Sequence, residues 1–435
     1  MLVDCSDLLN LADPNKEDFL GTRARLSYFT GQVLRQLGEY EKGLREFGES
    51  IEYSSRRLRQ KTPFAEFVAA EVYQESKLSR EQKTNEFSHA QKLAHWTIAR
   101  SLALGIAWIY YVTGRLSDAS RCLAVGSALF RSTNDSVHRA YSDLLMGAVS
   151  RAKSSHDPQG LAEALRMMRA ASKGLSTHPL FRIRADYEVA LAYLHAGDLE
   201  QAHRAIASLE SSAMPSGRGA GGRSQRWNCQ LLVLKSRLHR KGMDHAQAAT
   251  RAEEAAKLAN KGEQPSLEAE ALIAWAEAEY EIGAPESLEL AISRLTSARR
   301  LGQGNPKIGA VCSLHIARVR LKQGQPDAAR DEFKRWDYEY RPLVEHAFVR
   351  QLADRVGTSL WSSDGELRLD GLRYDDNARR LKEALLRKVL AIPGLSRHEQ
   401  AMRLGLKNER DVLRWIHDCG LEPESRPKWR VQGGA

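Results

Sequence analysis

Two short stretches of the chain contain residue types that could carry out chemistry. The first runs Gly217-Arg-Gly-Ala-Gly-Gly222-Arg-Ser224 and has the glycine density of a loop whose backbone amides cradle nucleotide phosphates. Such a loop needs a lysine and a preceding strand, whereas this stretch has arginine and no strand before it, so we interpret it as a flexible basic connection. In the second, His239 and His245 lie six residues apart, which does not fit the i, i+4 spacing of two metal ligands on one helix face.

No other arrangement of residues predicts catalysis. Neither a Ser-His-Asp set, a Cys-His pair nor a carboxylate pair rises above chance, so we expect a protein that is not an enzyme. The cysteines occur singly, at positions 5, 122, 229, 312 and 419, which predicts neither a disulfide framework nor a Cys-x-x-Cys metal site. We therefore expect no cofactor and no metal.

Composition restricts the class of protein and of partner. The chain has 435 residues, of which 42% are hydrophobic, so it can bury a large core. No stretch approaches the ~18 uninterrupted apolar residues of a membrane span, and no basic start precedes an apolar run, which predicts a cytoplasmic protein without a membrane partner. The net charge of +10 favours anionic partners but is spread too thinly to specify one.

A short phrase recurs along the chain and predicts helical hairpins. Its four clear copies are Gly31-Leu34-Gly38-Gly43, Ala107-Tyr110-Gly114-Ala119, Ala190-Tyr193-Gly197-Ala202 and Ala317-Arg320-Gly324-Ala329. In each copy the later glycine should end the first helix, and the small residue after it should let the second helix approach closely. Gly242, Gly283 and Gly324 are 41 residues apart in turn, which indicates a regular stack of about eight hairpins from Gly21 to Leu343.

The predicted fold is all-α, with a solenoid of helix hairpins and a small helical domain after it. The expected parts are a lead-in over residues 1–20, the repeat solenoid over 21–345, a linker that could hold a short hairpin over 346–375, a three-helix domain over 376–422 and a basic tail over 423–435. We expect the hairpins to contact their neighbours and not to touch across the middle of the stack.

The C-terminal domain has the spacing of a helix-turn-helix. A capping box from Ser396 to Glu399 starts one helix, Ala401 permits a close crossing, and Gly405 makes the turn. Residues 373–430 hold fourteen cations and nine acids, an excess of five positive charges that favours DNA as the partner. The candidate DNA contacts are Lys407, Asn408, Arg410, Arg414 and Arg397. The alternative is a helical cap or a module that docks a protein.

The first helices of the hairpins are expected to line a concave surface. Helical spacing places on it Arg25, Tyr28, Gln32, Arg35, Trp108, Tyr111, Arg184, Tyr187, His195, Arg318 and Lys322. Aromatic rings beside cations suit an extended acidic peptide, so a protein or peptide partner is expected in this groove. For Trp108 and Tyr111, packing between repeats is the alternative role.

The repeat phrase resembles the tetratricopeptide family over about three quarters of the chain. Leu34-x3-Gly38-x-Tyr40-x2-Gly43-x3-Phe47 follows that family's ladder of small and aromatic residues, although the period is nearer 40 than 34 residues, as in the longer repeats of large bacterial regulators. The C-terminal run Glu399-Gln-Ala401-x-x-Leu404-Gly405-Leu406 and Leu413-Arg414-Trp415-Ile416 resembles the Fis-type module of bacterial regulators. These resemblances imply a superhelix that binds partner segments and a module that binds DNA.

The expected function is that of a non-enzymatic regulator or adaptor. The solenoid would bind a protein or peptide, and the C-terminal module would bind DNA, which makes transcription regulation the predicted role. The alternative is a scaffold, or the sensory subunit of a multiprotein system, in which the terminal module docks a protein and never contacts DNA. No heptad run supplies a dimer seam, and the oligomeric state stays open.

Overall fold

All the regular structure that can be described in this protein is helical. The computed structural model describes residues 17–58, 89–154, 157–212 and 221–362, together with most of 382–419. Along the repeats the helices are α1 (Glu17–Leu37), α2 (Tyr40–Arg57), α3 (His89–Arg100), α4 (Ala107–Thr113), α5 (Leu116–Ser132), α6 (Ser136–Lys153), α7 (Pro158–Gly174), α8 (Pro179–Ala196), α9 (Leu199–Ser212), α10 (Gly221–Lys241), α11 (His245–Lys261), α12 (Pro265–Ile282), α13 (Pro285–Leu301), α14 (Pro306–Lys322), α15 (Pro326–Arg335) and α16 (Ala347–Ser362). Two helices follow in the C-terminal part, α17 (Arg397–Arg403) and α18 (Glu409–Asp418). π-Helical segments at Ser101–Ile106 and Trp336–Tyr340 extend α3 into α4 and continue α15.

The helices pair into hairpins in the order that the sequence predicts. Each helix packs mainly on the helices before and after it, and this makes an all-α solenoid. The chain separates into two compact units, residues 1–360 and 361–435. We call them the repeat unit and the C-terminal unit. The first helix of the solenoid begins at Glu17, within the stretch that was assigned to the lead-in.

The recurring glycines end the first helices, as predicted. Gly38 follows α1 with a φ of +83°, and Gly114 follows α4 with a φ of +92°, a left-handed conformation that glycine adopts without the steric cost of a Cβ atom. At the hairpin of α10 and α11 the left-handed residue is Met243 rather than Gly242. The later small residue of the phrase is fully buried where it is alanine, as at Ala119, and this allows the second helix to lie close.

Hairpins that are distant in sequence also touch, which corrects the expectation of contacts between neighbours alone. The hydroxyl of Tyr40, at the start of α2, donates to Oγ of Ser266 in α12 over 3.3 Å. The backbone amide of Glu345 donates to the carbonyl of Gly114 over 2.9 Å. A side chain at Gly38 or Gly114 would obstruct these approaches, because a Cβ there would lie 2.5 Å from Ser266 Oγ or 2.9 Å from a Val344 methyl group. The turn glycines therefore permit the contact as well as the turn.

The end of the repeat unit lies later than the sequence predicts. Helix α16 occupies the first part of the segment that was assigned to the linker over 346–375, and it buries Val349, Leu352 and Val356 against the preceding hairpin. The segment forms a helix rather than a linker because these three apolar residues recur at helical spacing. The suggested hairpin of the linker, over residues 366–369, lies outside the described residues. The glycine-rich stretch is also partly helical, since α10 begins at Gly221.

The C-terminal unit forms its own small core around the two short helices. Leu386, Ala401, Val412 and Ile416 are buried together, with Leu406 packed against them. The predicted capping box is confirmed, because the Ser396 side chain accepts from the Glu399 amide while the Glu399 carboxylate accepts from the Ser396 amide. Residues 382–390, where described, are helical and supply the third side of this core. The tail over 423–435 lies outside the described residues.

Candidate ligand-binding site on the inner helices

A group of buried charged residues joins the first helices of three hairpins. We call the first helices of all the hairpins the inner helices; they are α1, α4, α6, α8, α10, α12 and α14. Arg151 of α6 is 1% exposed and donates from Nη2 to the Tyr111 hydroxyl over 2.7 Å and to Oε2 of Glu188 over 3.0 Å. Its Nη1 lies 3.1 Å from Nδ1 of His195, and Glu188 also accepts from Arg184. We call Tyr111, Arg151, Arg184, Glu188 and His195 the buried arginine cluster.

Electrostatics hold this cluster in one ionisation state. Burial favours a neutral carboxyl, but the guanidinium groups of Arg184 and Arg151 outweigh it and hold the pKa of Glu188 below its usual value. Burial raises the pKa of Tyr111, so the phenol stays protonated and donates to Glu188. Burial and the charge of Arg151 lower the pKa of His195 well below its usual value, so its imidazole is neutral at pH 7.

Three further cations near this cluster form no ion pair with a carboxylate among the described residues. Arg226 and Arg237 lie on α10, and Lys307 lies in the first turn of α14; all three side chains are half-buried. Lys307 Nζ lies 6.0 Å from the centre of the Tyr111 ring. Burial lowers the pKa of Lys307 to about 8, and the charges of Arg151 and Arg237 act in the same direction. The inner helices thus hold positive charge that this part of the protein leaves unneutralised.

Arg35, on α1, is a further cation that forms no ion pair with a described carboxylate. Burial lowers the pKa of Arg35 to about 10, and the charges of Arg226 and Arg184 contribute. Arg35 donates to the carbonyl of Leu104 over 2.7 Å rather than to a carboxylate. Both Arg35 and Arg184 contact the ring of Trp108, at 4.5 Å and 5.7 Å from its centre. Cation–π contacts position these guanidinium groups without neutralising them.

Several of the residues that the sequence assigned to the groove are buried here. Tyr28, Trp108, Tyr111, Arg184 and Tyr187 are each less than a tenth exposed. Their buried rings and guanidinium group pack between helices and position the cations, the role that was the alternative for Trp108 and Tyr111. Arg35 and His195 keep part of their surface accessible.

The remaining residues that were predicted for the groove make contacts with other partners. Arg25 is exposed and donates to the carbonyl of Gly21, and Gln32 is half-buried on the same helix. Arg318 lies over the ring of Tyr280 and pairs with Glu281, while Lys322 donates to the Tyr280 carbonyl over 2.7 Å. Each of these last two cations already has a partner in the protein.

Sequence reasoning missed four of these cations, Arg151, Arg226, Arg237 and Lys307. Arg226 and Arg237 belong to a hairpin that lacks the full recurring phrase, and Arg151 belongs to another such hairpin. A usable signal was present, because residues 226 and 237 are eleven apart, three helical turns, and so share a face of α10. Projecting the residues of these hairpins onto helix faces would have placed Arg226 and Arg237 on one face.

The predicted DNA contacts lie on the two helices of the C-terminal unit. Arg410 and Arg414 are exposed on α18, and Arg414 Nη1 lies 4.0 Å from Oδ1 of Asp411. Asn408 caps α18 by accepting from the Asp411 amide. Arg397 is half-buried and donates to Gln400 over 2.8 Å. Lys407 lies outside the described residues.

Three buried cysteines of the repeat unit are not activated as nucleophiles. Burial raises the pKa of the Cys122, Cys229 and Cys312 thiols to about 12, so these cysteines are protonated at neutral pH. Within the part of the chain that the structure describes, no three His, Cys, Asp or Glu side chains are placed to hold a metal ion. None of the helices described is both long and apolar enough to cross a membrane.

Comparison with known proteins identifies no family for this chain. No protein-family model matches it, and no curated protein matches it at a significant level. Function is therefore inferred from the chemistry of the inner helices and of the C-terminal unit.

Proposed function

We propose that the protein is a non-enzymatic regulator or adaptor whose repeat unit binds an acidic peptide segment of a partner protein along the inner helices. The observation that carries this proposal is a set of three half-buried cations, Arg226, Arg237 and Lys307, none of which forms an ion pair with a described carboxylate. The charge of Glu270 acts on Arg226 and Lys307, and the charge of Arg237 acts on Glu277, but neither acid lies in ion-pair contact with these cations. Half-buried cations attract an anion strongly, because their low-dielectric surroundings weaken screening.

The placement of the charges favours an extended ligand. The cations come from α1, α10 and α14, and the acid whose charge acts on both Arg226 and Lys307 is Glu270 of α12. Glu277 of the same helix is already paired with Arg240, so Glu270 alone stands against Arg35, Arg226, Arg237 and Lys307 and the net charge of the group stays positive. A peptide with several spaced acids neutralises such a row better than a single small anion does.

Removal of Arg226 should weaken the binding of an acidic peptide. We expect the Arg226→Ala variant of the full chain to bind a fluorescein-labelled oligoglutamate peptide about tenfold more weakly, since one charge-assisted contact contributes about 1.5 kcal/mol. Fluorescence anisotropy at fixed salt measures the dissociation constants. Arg204→Ala is the matched control, because Arg204 is exposed on α9, which is not one of the inner helices, and pairs with Glu200. Equal weakening by both variants would show that the peptide binds to surface charge in general, and that result contradicts the proposal.

For the C-terminal unit we propose DNA binding through α18. Its exposed Arg410 and Arg414 are the support for this, together with the positive excess of residues 373–430. Binding of a partner to the repeat unit would be the input, and occupancy of DNA by the C-terminal unit would be the output. Glu409 and Asp411 occupy the first turn of the same helix and would reduce the attraction to phosphates.

The DNA proposal predicts a particular dependence on salt. In the full chain, replacing both Arg410 and Arg414 by alanine should lower the slope of log affinity against log salt by about two, one unit for each phosphate contact. Anisotropy of a labelled duplex over a salt series measures that slope. Arg387→Ala is the control, since Arg387 is exposed in the same unit but pairs with Glu383. Absence of duplex binding at low salt would rule out the DNA proposal.

Protein docking by the C-terminal unit is the second candidate, and exposed apolar side chains favour it. Leu385, Met402 and Leu413 are 42%, 69% and 51% exposed. Apolar groups that a small unit leaves accessible are typical of protein contact surfaces, whereas duplex DNA presents mostly phosphate and sugar. Under this alternative the chain is a scaffold or a sensory subunit.

A further inference from the structure

Five basic side chains come together from five separate elements of the repeat unit. Arg151 lies on α6, His195 on α8, Arg237 on α10 and Lys307 on α14, while His346 directly precedes α16. We call them the basic pentad. Burial lowers the pKa of both histidines well below the usual value, and the charges of Arg151, Arg237 and Lys307 each act on both rings in the same direction. The contacts place these groups near one another: Arg151 Nη1 lies 3.1 Å from His195 Nδ1, and Arg151 also donates to the hydroxyl of Tyr111, whose ring centre lies 6.0 Å from Lys307 Nζ. The residue before His346 bonds to the end of the helix that carries Tyr111, since the Glu345 amide donates to the Gly114 carbonyl over 2.9 Å.

The donors of the pentad exceed the acceptors that the described residues supply. His346 is 4% exposed, and its Nδ1 atom is buried without a hydrogen-bond partner among these residues. Nε of Arg151 is likewise buried without one. Lys307 Nζ lies over the face of the Tyr111 ring, 6.0 Å from its centre, and forms no ion pair with a described carboxylate. Buried polar atoms in folded proteins are nearly always hydrogen-bonded, so the pentad has the composition of a site that lacks a polar partner.

The acids around the pentad are already engaged or too few. Glu188 accepts from Tyr111, Arg151 and Arg184, which occupies both of its oxygens. Glu270 is the other acid whose charge acts on Lys307. Glu277 is a third acid, on which the charge of Arg237 acts, and it is already paired with Arg240 over 2.9 Å. Against these three carboxylates stand five cations, Arg151, Arg184, Arg237, Arg240 and Lys307, so an excess of about two positive charges remains.

We propose that the basic pentad binds a phosphate monoester carried by a side chain of the acidic peptide partner. This inference rests on the proposed function and specifies the group that the peptide must bear. A phosphate monoester has a charge of about −1.5 to −2 at pH 7 and three strong acceptor oxygens, which matches the excess charge and the number of donors better than one carboxylate does. The arginine guanidinium groups supply several N–H donors in one plane, the lysine supplies a compact positive charge, and each neutral imidazole supplies one N–H donor.

The position of Arg226 sets the spacing within such a peptide. Residues 226 and 237 share a face of α10 and are three turns apart, about 16 Å along the helix at 1.5 Å per residue. An extended peptide advances about 3.3 Å per residue, so an acidic residue about five positions from the phosphorylated residue reaches Arg226 while the phosphate occupies the pentad.

A pair of peptides tests the inference on the full chain. Both are labelled oligoglutamates with one central serine, which is phosphorylated in one of them, and their dissociation constants are measured by anisotropy. We expect the phosphorylated peptide to bind at least about tenfold more tightly than the other, the effect of roughly one additional charge-assisted hydrogen bond. In the Arg237→Ala and Lys307→Met variants this ratio should fall towards one. It should persist in Lys235→Ala, whose side chain lies on the same helix and pairs with Glu210.

The possible outcomes separate this inference from the function on which it rests. Equal affinity for the two peptides overturns the phosphate assignment and leaves the acidic-peptide proposal in place, whereas failure of both to bind overturns both. Inorganic phosphate is the third probe, and isothermal titration calorimetry measures its binding. If it binds as tightly as the phosphorylated peptide does, the source of the phosphate is the free ion and the peptide assignment is wrong. Comparison of the peptides on the unmodified protein decides the question even if a variant fails to fold.

Discussion

The Glu188→Ala variant is expected to unfold at a much lower urea concentration than the unmodified protein, with a loss of about 3–5 kcal/mol. Glu188 is fully buried and accepts from Arg151 and Arg184, which are 1% and 8% exposed. Its removal leaves two guanidinium groups inside the repeat unit without their anion, and an unpaired buried charge costs far more than the net contribution of the pair. The Tyr111 hydroxyl loses an acceptor at the same time.

Circular dichroism at 222 nm across a urea series measures this loss as a shift of the midpoint. Glu200→Ala is the control, because Glu200 is exposed and pairs with Arg204 within one helix. Removal of such a surface pair should leave the midpoint unchanged within error. A midpoint for Glu188→Ala equal to that of Glu200→Ala would mean that the cluster does not hold the inner helices together.

The same carboxylate predicts how stability depends on pH. The pKa of Glu188 is lower in the folded protein than in the unfolded chain, because Arg184 and Arg151 outweigh the effect of its burial. The contribution of its ionised form is therefore fully present above the unfolded pKa, about 4.3, and is lost as pH falls through the lower folded value. The Glu188→Gln variant should consequently lose less stability than the unmodified protein as the pH falls below about 4.3, and the two should respond alike between about pH 7 and pH 5.

The Phe47→Ala variant is expected to lose about 3–5 kcal/mol by a different mechanism, the opening of a cavity in the first hairpins. Phe47 is fully buried between two glycines. A Cβ at Gly31 would lie 2.9 Å from its Cε1 atom, and one at Gly105 would lie 2.6 Å from the same atom. The ring thus fills a space that exists because both facing residues lack a side chain, and alanine leaves that space empty.

A double-mutant cycle tests that explanation. Gly105→Ala alone should destabilise, because its methyl group overlaps the Phe47 ring, whereas Gly105→Ala combined with Phe47→Leu should lose less than the sum of the two single variants. Urea midpoints from circular dichroism supply the free energies. Phe29→Ala is the matched control, since Phe29 lies 54% exposed on α1. Strict additivity in the cycle would show that Gly105 and Phe47 do not compete for one space.

The helical hairpins follow from local features that the sequence displays. The turn at Gly38 needs a left-handed residue, the capping box from Ser396 to Glu399 needs only two residues three apart, and apolar spacing marks the buried face of each helix. All of these involve neighbours within a few positions. For that reason the fold class, the helix ends and the core of the C-terminal unit could be predicted. The end of the repeat unit was missed because α16 lacks the recurring phrase.

The tertiary structure alone decided which charges meet. Arg151 and Glu188 are 37 residues apart, and Tyr40 and Ser266 are 226 apart, so their contacts depend on the angles between successive hairpins. Those angles arise from side-chain packing between repeats, and small differences accumulate along the stack. The sequence by itself determined a cationic solenoid of hairpins. Only the packing between its repeats brought Arg151, Arg237 and Lys307, from three different helices, within electrostatic reach of both His195 and His346.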